Sequence, residues 1–231
     1  MKKAHRFIGK FEISADRLLL RDPDIIHQIR TVLKLHVGEQ ILLADGGGTE
    51  ALAEISSIAA NGIEVGIVAR REAAEPKRNV TLYCAVLKRE NFELVVQKAV
   101  ECGVHKIVPV ITARTVKLGV KTDRLIKISQ EAAEQSGRGI VPEVTEPIKF
   151  NAALKIASEH DVNYFFDAGG EDFSRPKLLS GIVGVWIGPE GGWEDFETEA
   201  ARQNNFIVSS LGRLVLRAET AATVAVYLAT K

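Results

Sequence analysis

The strongest constraint on the fold is a change in the spacing of apolar residues near residue 76. Before it, apolar residues such as Ile63 and Val65 alternate with polar ones, which is the period of a half-buried strand. After it, continuous apolar runs such as 80–87 and 182–187 alternate with stretches of helical spacing. Strands without alternation are typical of a parallel sheet buried on both faces. The sequence therefore predicts an α/β protein preceded by a small β-rich unit.

The amino-terminal unit is predicted to be a compact β-barrel with one short helix. Its strands are expected at 5–13, 40–44, 51–55 and 63–69. Asp22-Pro23 is typical of a helix start, with the aspartate as cap and the proline at the first helical position. Asn61-Gly62 indicates a hairpin. We expect this domain to cover residues 1–72, with the polar stretch 70–78 as its linker.

Residues 77–231 are predicted to form the α/β domain. Its strands are expected at 80–87, 105–111, 162–166, 182–187 and 206–209. Its helices are expected at 92–102 and 123–136, from about 194, and at 219–230. The last helix is apolar around most of its circumference, so we expect it to be packed on several sides.

The zero net charge, from 30 basic and 30 acidic residues, hides an uneven distribution. Residues 1–36 hold eight basic against four acidic residues, and 76–149 hold thirteen against eight. The segments 37–75 and 150–231 are acidic by five and four charges. Because a surface field depends on how charge is distributed, the two basic segments predict a basic face that binds nucleic acid. Plain solvated surface charge is the alternative.

Several classes of protein are excluded. No apolar run approaches the roughly 20 residues that span a bilayer, and we expect no membrane association and no secretory signal. Cys84 and Cys102 are too few for a disulfide framework and lack metal-site spacing, so we expect no metal and a reducing cytoplasm.

A glycine-rich loop, Gly-Pro-Glu-Gly-Gly-Trp at 188–193, follows the apolar run 182–187. Ligands of α/β sheets bind outside the carboxyl ends of strands, and glycines let the backbone approach them. Dinucleotide and phosphate-loop spacings are absent, and Glu190 and Glu194 would repel a phosphate. A ligand with a positive centre and no phosphate, such as S-adenosylmethionine, fits better. A plain strand-to-helix turn is the alternative.

A second unusual segment, LGRLVLRAETAA at 211–222, embeds Arg217 and Glu219 in apolar sequence beside the last helix. Charges near buried positions need partners or a ligand. An Arg217–Glu219 ion pair that caps the helix is the alternative.

These two segments resemble the signature loops of the RsmE family of SPOUT methyltransferases. The resemblance covers nearly the whole chain: 5–7 and 27–35 are similar to the family's amino-terminal RNA-binding signatures, and 97–104 and 131–138 to its mid-chain ones. It implies a PUA-like β-barrel, a SPOUT domain with a carboxyl-terminal trefoil knot, and a homodimer. It also implies methylation, with S-adenosylmethionine, of N3 of a uridine in 16S rRNA of the small ribosomal subunit.

The resemblance and the position of the loops imply three sets of site residues. We expect Arg217 to stabilise the charge on the uracil carbonyls, and Glu190 or Glu219 to accept the N3 proton. The expected cofactor contacts, mostly through the backbone, are Ile187, Gly188, Pro189, Glu190, Gly191, Gly192, Leu211, Gly212, Val215, Leu216, Arg217 and Thr220. The expected RNA contacts are Arg6, His27, Arg30, Lys34, Lys88, Lys98, Arg114, Gln135 and Arg138.

Four positions depart from the family pattern. Lys34 replaces a common arginine and loses its bidentate fork. Glu194 replaces a serine and is expected to be a poorer helix cap. Cys102 replaces a leucine, and Leu214 replaces an arginine.

Three other functions are compatible with parts of the sequence. One is another SPOUT RNA methyltransferase, with a tRNA or a ribose 2′-hydroxyl as target. The others are a non-catalytic RNA-binding module and a nucleotide-dependent oxidoreductase. The glycine-rich loop disfavours the module, and the missing dinucleotide fingerprint disfavours the oxidoreductase.

Overall fold

The protein, described by a computed structural model, divides into two units. The described residues are 4–116, 119–174 and 181–231. The first unit comprises Met1–Glu75 together with Ala133–Val141, and the second comprises Pro76–Ala132 together with Pro142–Lys231. The first unit is therefore discontinuous along the chain.

A five-stranded sheet forms the first unit. Its strands are β1 (His5–Ile8), β2 (Arg17–Leu20), β3 (Gln40–Ala44), β4 (Thr49–Ala59) and β5 (Gly62–Glu72). Their order in the sheet is β1-β3-β4-β5-β2, with β1 parallel to β3 and the other pairs antiparallel. Alternate apolar residues such as Ile41, Leu43 and Ile55 point into one fully buried core.

Helix α1 (Pro23–His27) begins where the sequence predicted. The Asp22 carboxylate accepts hydrogen bonds from the backbone N–H groups of Asp24 at 2.9 Å and Ile25 at 3.3 Å, which confirms it as the cap. A π-helical turn, Gln28–Val32, continues the helix directly.

The linker prediction was wrong at its amino-terminal end. Strand β5 continues to Glu72, so Arg70 and Arg71 are strand residues. The Arg70 guanidinium donates to the carbonyl of Ile13 at 2.7 Å, and that of Arg71 donates to the carboxylate of Glu50. Charged side chains with such distant partners break the alternation of apolar and polar residues without ending the strand.

A buried carboxylate on β4 joins β1 and β5 of this unit. Only 3% of the Glu50 side chain is exposed, and it pairs with Arg6 of β1 and Arg71 of β5. Burial alone would raise the pKa of Glu50, but the hydrogen bonds from the two guanidinium groups outweigh it and lower the pKa. Glu50 is therefore a charged group that depends on both partners.

The segment 133–141 is attached to the first unit by the same kind of contact. Arg6 donates to the backbone carbonyl of Arg138 at 3.2 Å. Arg138 in turn donates to the Glu75 carboxylate from two nitrogens, at 3.0 and 2.7 Å. Glu134 accepts the backbone N–H of Ile8 at 3.0 Å. A chain of ion pairs and backbone contacts therefore holds this segment against β1.

The second unit is an α/β domain around a seven-stranded sheet. Its strands are β6 (Arg78–Ala85), β7 (Lys106–Ile111), β8 (Glu143–Val144), β9 (Ile148–Lys149), β10 (Val162–Asp172), β11 (Gly181–Ile187) and β12 (Ile207–Ser210). The order is β12-β10-β11-β6-β7-β8, with β9 also paired to β7, and every pairing is parallel. The predicted α/β class is confirmed.

Five helices accompany this sheet. They are α2 (Arg89–Glu101), α3 (Thr122–Ser136), α4 (Phe150–Ala157), α5 (Asp195–Gln203) and α6 (Ala218–Thr230). Helix α4 and the short strands β8 and β9 were not predicted. Helix α6 packs against α2, β6 and β11 and buries Ala222, Ala225 and Val226 completely. Within the described residues, no helix has the length and apolar character needed to cross a membrane.

Removing the charge of Glu50 is expected to destabilise the first unit. In Glu50→Gln, the buried Arg6 loses its counter-charge, and the free energy of unfolding should fall by about 3 kcal/mol. Denaturant titration measures the change. Glu54→Gln, at an exposed position of the same strand, should shift the midpoint little; equal losses for both variants would contradict the role of the pair.

The same contact predicts how stability depends on pH. Because the pKa of Glu50 is lowered in the folded unit, its contribution is complete above the unfolded value of 4.5 and declines as the pH falls through the lowered folded value. The stability difference between the wild type and Glu50→Gln should therefore be constant from about pH 7 to 5 and narrow in stronger acid. Denaturant unfolding curves of both proteins at several pH values measure this difference. A stability difference that grows in acid would contradict the lowered pKa of Glu50.

Candidate functional site

The two unusual segments leave the same edge of the parallel sheet. Cys84, Ile187, Phe166 and Ser209 are register partners across four adjacent strands, β6, β11, β10 and β12. The glycine-rich loop starts one residue after this row, and the segment 211–217 starts two residues after it. The carboxyl edge of the sheet therefore brings both predicted loops together, on either side of β10.

The glycine-rich loop is a tight turn closed by an indole ring. Trp193 is buried, and its Nε1–H donates to the carbonyl of Phe166 at 3.0 Å. A Cβ on Gly188 would lie 3.0 Å from this ring, so a larger residue there requires the indole to shift. The backbone N–H of Gly192, whose φ is +73°, donates to the carbonyl of Pro189 at 2.8 Å. These contacts fix the direction of the loop's backbone groups.

A side chain from another loop also contacts this turn. Arg114, which follows β7, donates from Nε to the Glu194 carboxylate at 2.8 Å and from its terminal nitrogen to the carbonyl of Gly191. The buried Glu197 accepts the backbone N–H groups of Glu194 and Ala113, each at 3.0 Å. The start of α5 and the glycine-rich loop are therefore attached to the loop after β7.

The second segment presents its side chains to solvent. Leu214 is 82% exposed and Val215 is 90% exposed. Arg217 is exposed and precedes the first residue of α6, where its carbonyl accepts the N–H of Ala221 at 2.8 Å. Both Arg217 and Glu219 are described, and no ion pair joins them. The Arg217–Glu219 ion pair, which was the alternative explanation of these two charges, is therefore not formed.

The two candidate proton acceptors lie near one buried thiol. Burial raises the pKa of Cys84, and the negative charges of Glu190 and Glu219 raise it further. Because Cys84 lies in the row of register partners below the loops, both carboxylates are close to the same part of the sheet edge. The site thus combines two carboxylates, an exposed guanidinium and a glycine-rich backbone.

Comparison with known proteins agrees with these features. The profile of an RNA methyltransferase domain matches residues 74–230, and that of an RNA methyltransferase PUA domain matches 20–68. Ribosomal RNA small subunit methyltransferase E of Rickettsia conorii is 32% identical over 238 residues, which cover 98% of this chain and 94% of the relative. The chain belongs to the ribosomal RNA small subunit methyltransferase E family.

Solved structures of the family have the same fold. The Neisseria gonorrhoeae enzyme, crystallised with S-adenosylmethionine, is 29% identical and superposes with a TM-score of 0.88 over 96% of this chain and 95% of that one. A Legionella pneumophila methyltransferase with the same bound cofactor is 29% identical, with a TM-score of 0.84 over 97% and 96%. The described strands and loops are thus those of a family in which this cofactor binds.

The residues predicted to contact RNA fall into both units. Those in the first unit are Arg6, His27, Arg30, Lys34, Gln135 and Arg138, and those in the second are Lys88, Lys98 and Arg114. The exposed ones are His27, Lys34, Lys88, Arg114 and Gln135. The structure thus places Gln135 and Arg138 of the mid-chain signature in the same unit as the amino-terminal signatures.

Besides Arg114, whose contacts with Glu194 and Gly191 are described above, four of these side chains have protein partners. Arg6 and Arg138 are buried against Glu50 and Glu75, as described above. Arg30 donates to the carbonyl of Ala59, and Lys98 pairs with Glu101 at 2.9 Å. The role of all four in RNA binding stays a prediction, and the burial of Arg6 and Arg138 does not support direct phosphate contact.

The backbone around Lys34 has an uncommon conformation. Lys34 has a φ of +51°, in the left-handed region, and follows the π-helical turn after only one residue. Single turns of π-helix and strained residues are frequent at functional sites. Lys34 is also exposed, so the arrangement favours its predicted role in RNA binding.

Several contacts of the site were not predicted from the sequence. Glu197, three residues after the cap position, could have been found as the acid of a capping-box pattern. No local signal marks Phe166 as the partner of Trp193, because the two meet only through the sheet. Among the described residues, no group of histidine, cysteine and acidic side chains could hold a metal ion.

A cavity of about 250 Å³ lies beside the predicted RNA contact Lys88. Its lining consists of Leu87, Arg89, Phe92, Glu93, Gly119, Val120, Lys121 and Leu125. Arg89, like its neighbour Lys88, is a candidate RNA contact from the basic segment 76–149, and none of the other lining residues belongs to a predicted site set. Its mouth is charged: Glu93 pairs with Arg124 and Arg89, and these hydrogen bonds, that of Arg124 first, lower the pKa of Glu93 to about 2.

Replacing Lys34 by glycine should have opposite effects on stability and RNA affinity. Lys34→Gly relieves the left-handed backbone and is expected to raise the free energy of unfolding by about 1 kcal/mol. RNA binding should weaken if the ammonium group contacts phosphate. Denaturant titration and RNA titration measure both. Lys10→Gly, at an exposed position outside helix and strand, should not be more stable than the wild type. If both variants were stabilised, the left-handed backbone of Lys34 would not be the cause.

Proposed function

We propose that this protein methylates N3 of a uridine in 16S rRNA of the small ribosomal subunit, in the cytoplasm, with S-adenosylmethionine as methyl donor. One observation carries the proposal: the glycine-rich loop and the segment 211–217, which contains Arg217, follow strands on either side of β10 at one edge of the sheet, where Glu190 and Glu219 both act on Cys84. Family membership supports the rRNA target, since the curated relatives are named as methyltransferases of the small subunit RNA.

The residues at the sheet edge suit this cofactor. In this proposal the cofactor contacts the backbone of Gly188 to Gly192, of which Glu190 and Gly191 are exposed, and that of Leu211, Gly212, Val215 and Leu216. Glu190 and Glu219 supply negative charge, which favours a sulfonium over a phosphate ligand. We propose contacts from the neighbouring residues Ile187, Pro189, Arg217 and Thr220 by position.

The chain's own residues can prepare the uridine for reaction. The N3 nitrogen of uracil is a weak nucleophile until its proton leaves. In this proposal Arg217, exposed before the first residue of α6, donates to the base carbonyls and stabilises the anion that then forms. Glu190 or Glu219 accepts the proton. When bound, the cofactor supplies the electrophilic methyl group.

Three further properties belong to this proposal. The predicted domain 1–72, together with the segment 133–141, forms the PUA-like barrel that binds RNA, and the rest of 77–231 forms the methyltransferase domain. The chain after β11 is threaded into a trefoil knot, and two copies form a homodimer. The exposed Leu214 and Val215 and the half-exposed Tyr227 of α6 support an interface, because large apolar side chains are otherwise seldom left in water together.

Variants of Arg217 test the catalytic assignment. Arg217→Ala and Arg217→Lys should lower turnover about a hundredfold or more, because the planar donor pair at the carbonyls is lost. The Kd for S-adenosylmethionine, measured by calorimetry, should change little. Arg202→Ala, an exposed arginine on α5, serves as control and should keep its activity. Full turnover by Arg217→Ala would exclude the role.

The modified nucleotide itself tests the proposed function. Ribosomal RNA from cells that lack the gene should contain no N3-methyluridine at one position of 16S rRNA, as measured by mass spectrometry of digested RNA. The wild-type gene should restore it, and Arg217→Ala should not. If the missing modification is instead in tRNA or is a ribose 2′-O-methyl group, the chain is a different RNA methyltransferase.

A further inference from the structure

Arg114 lies in a small turn of its own. The turn follows β7, and the Thr115 hydroxyl accepts the backbone N–H of Thr112 at 2.9 Å, while the N–H of Thr115 donates to the carbonyl of Thr112 at 3.2 Å. Ala113, within the turn, donates its N–H to the buried Glu197. Arg114 therefore starts from a backbone that is itself attached to α5.

The guanidinium of Arg114 ends on the glycine-rich loop. It donates to the Glu194 carboxylate and to the carbonyl of Gly191, residues 80 and 77 positions away along the chain. A Cβ on Gly191 would lie 3.3 Å from the Arg114 side chain, so the two are packed together. One side chain thus holds both the loop and the first residue before α5.

The contact matters because the loop contains two adjacent glycines. Glycine has more backbone freedom than any other residue, and Gly192 adopts a φ of +73°. A loop that is to bind a ligand through its backbone binds more tightly when its conformation is already fixed. An ion pair and a hydrogen bond to a carbonyl from outside the loop supply that restraint.

We infer that Arg114 is a positioning residue for the cofactor loop and not an RNA-phosphate contact. The inference rests on the proposed function, because it assumes that the glycine-rich loop binds S-adenosylmethionine. The inference also explains why this chain has a glutamate at 194, where the family pattern has a serine. A carboxylate forms an ion pair with a guanidinium, whereas a neutral hydroxyl can only accept a hydrogen bond from it. The hydrogen bond from Arg114 keeps the pKa of Glu194 low, so the pair is charged at neutral pH.

Two readouts distinguish a loop restraint from a phosphate contact. Arg114→Gln should raise the Kd for S-adenosylmethionine about fivefold, measured by calorimetry without RNA. The slope of the logarithm of RNA affinity against the logarithm of salt concentration should stay unchanged in this variant. Lys88→Gln, at an exposed predicted RNA contact, is the matched control and should lower that slope by about one with an unchanged cofactor Kd. The reverse pattern for Arg114→Gln would overturn the inference.

The partner variant provides an independent test. Glu194→Gln should weaken cofactor binding to a similar extent, and the double variant should lose no more than either single one, because the two residues act through one contact. Fully additive losses would contradict the inference. Arg114→Lys, which keeps the charge and loses the fork, should fall between Arg114→Gln and the wild type. Thermal unfolding confirms that each variant is folded.

Failure of this inference can be told apart from failure of the proposed function. If the wild type binds no S-adenosylmethionine, both are wrong. If the wild type binds it and Arg114→Gln binds it equally well, only the inference is wrong.

Discussion

Parallel pairing in the seven-stranded sheet is the constraint on which the site depends. Because every strand runs in the same direction, the segments after β6, β11 and β12 all leave at one edge. The glycine-rich loop and the segment 211–217 both start there, and Arg114, which follows β7, contacts the first of them. The hydrophobic core of Tyr83, Trp186, Phe165 and their neighbours packs directly below this edge, because these three residues are register partners one residue before the row that precedes the loops.

The glycine-rich loop combines freedom of backbone with restraint from outside. Its glycines leave the backbone free, and contacts from Trp193 within the loop and from residues outside it restrain that freedom. The Trp193 ring lies against Gly188 and donates to Phe166, whereas Arg114 holds Gly191 and Glu197 holds Glu194.

Features with a local signal were predictable, and those made by long-range pairing were not. Strand β3 and the cap Asp22 were found where the sequence placed them, since turn chemistry and periodicity are properties of neighbouring residues. The partners of Arg6 and Arg138 lie 44 and 63 residues away, and charge patterning cannot tell a guanidinium paired in a core from one exposed to phosphate. The strand character of Arg70 and Arg71 was missed for the same reason.

The attachment of 133–141 to the first unit bears on how the protein is made. Synthesis proceeds from the amino terminus, and domains generally fold as they emerge. Here the acceptor for the N–H of Ile8 and the partner of Glu75 are encoded long after the rest of the barrel. In the nascent barrel, the N–H of Ile8 and the carboxylate of Glu75 therefore stay hydrated until residues 133–141 have left the ribosome. A gene fragment that ends at the apparent boundary encodes an unfinished barrel.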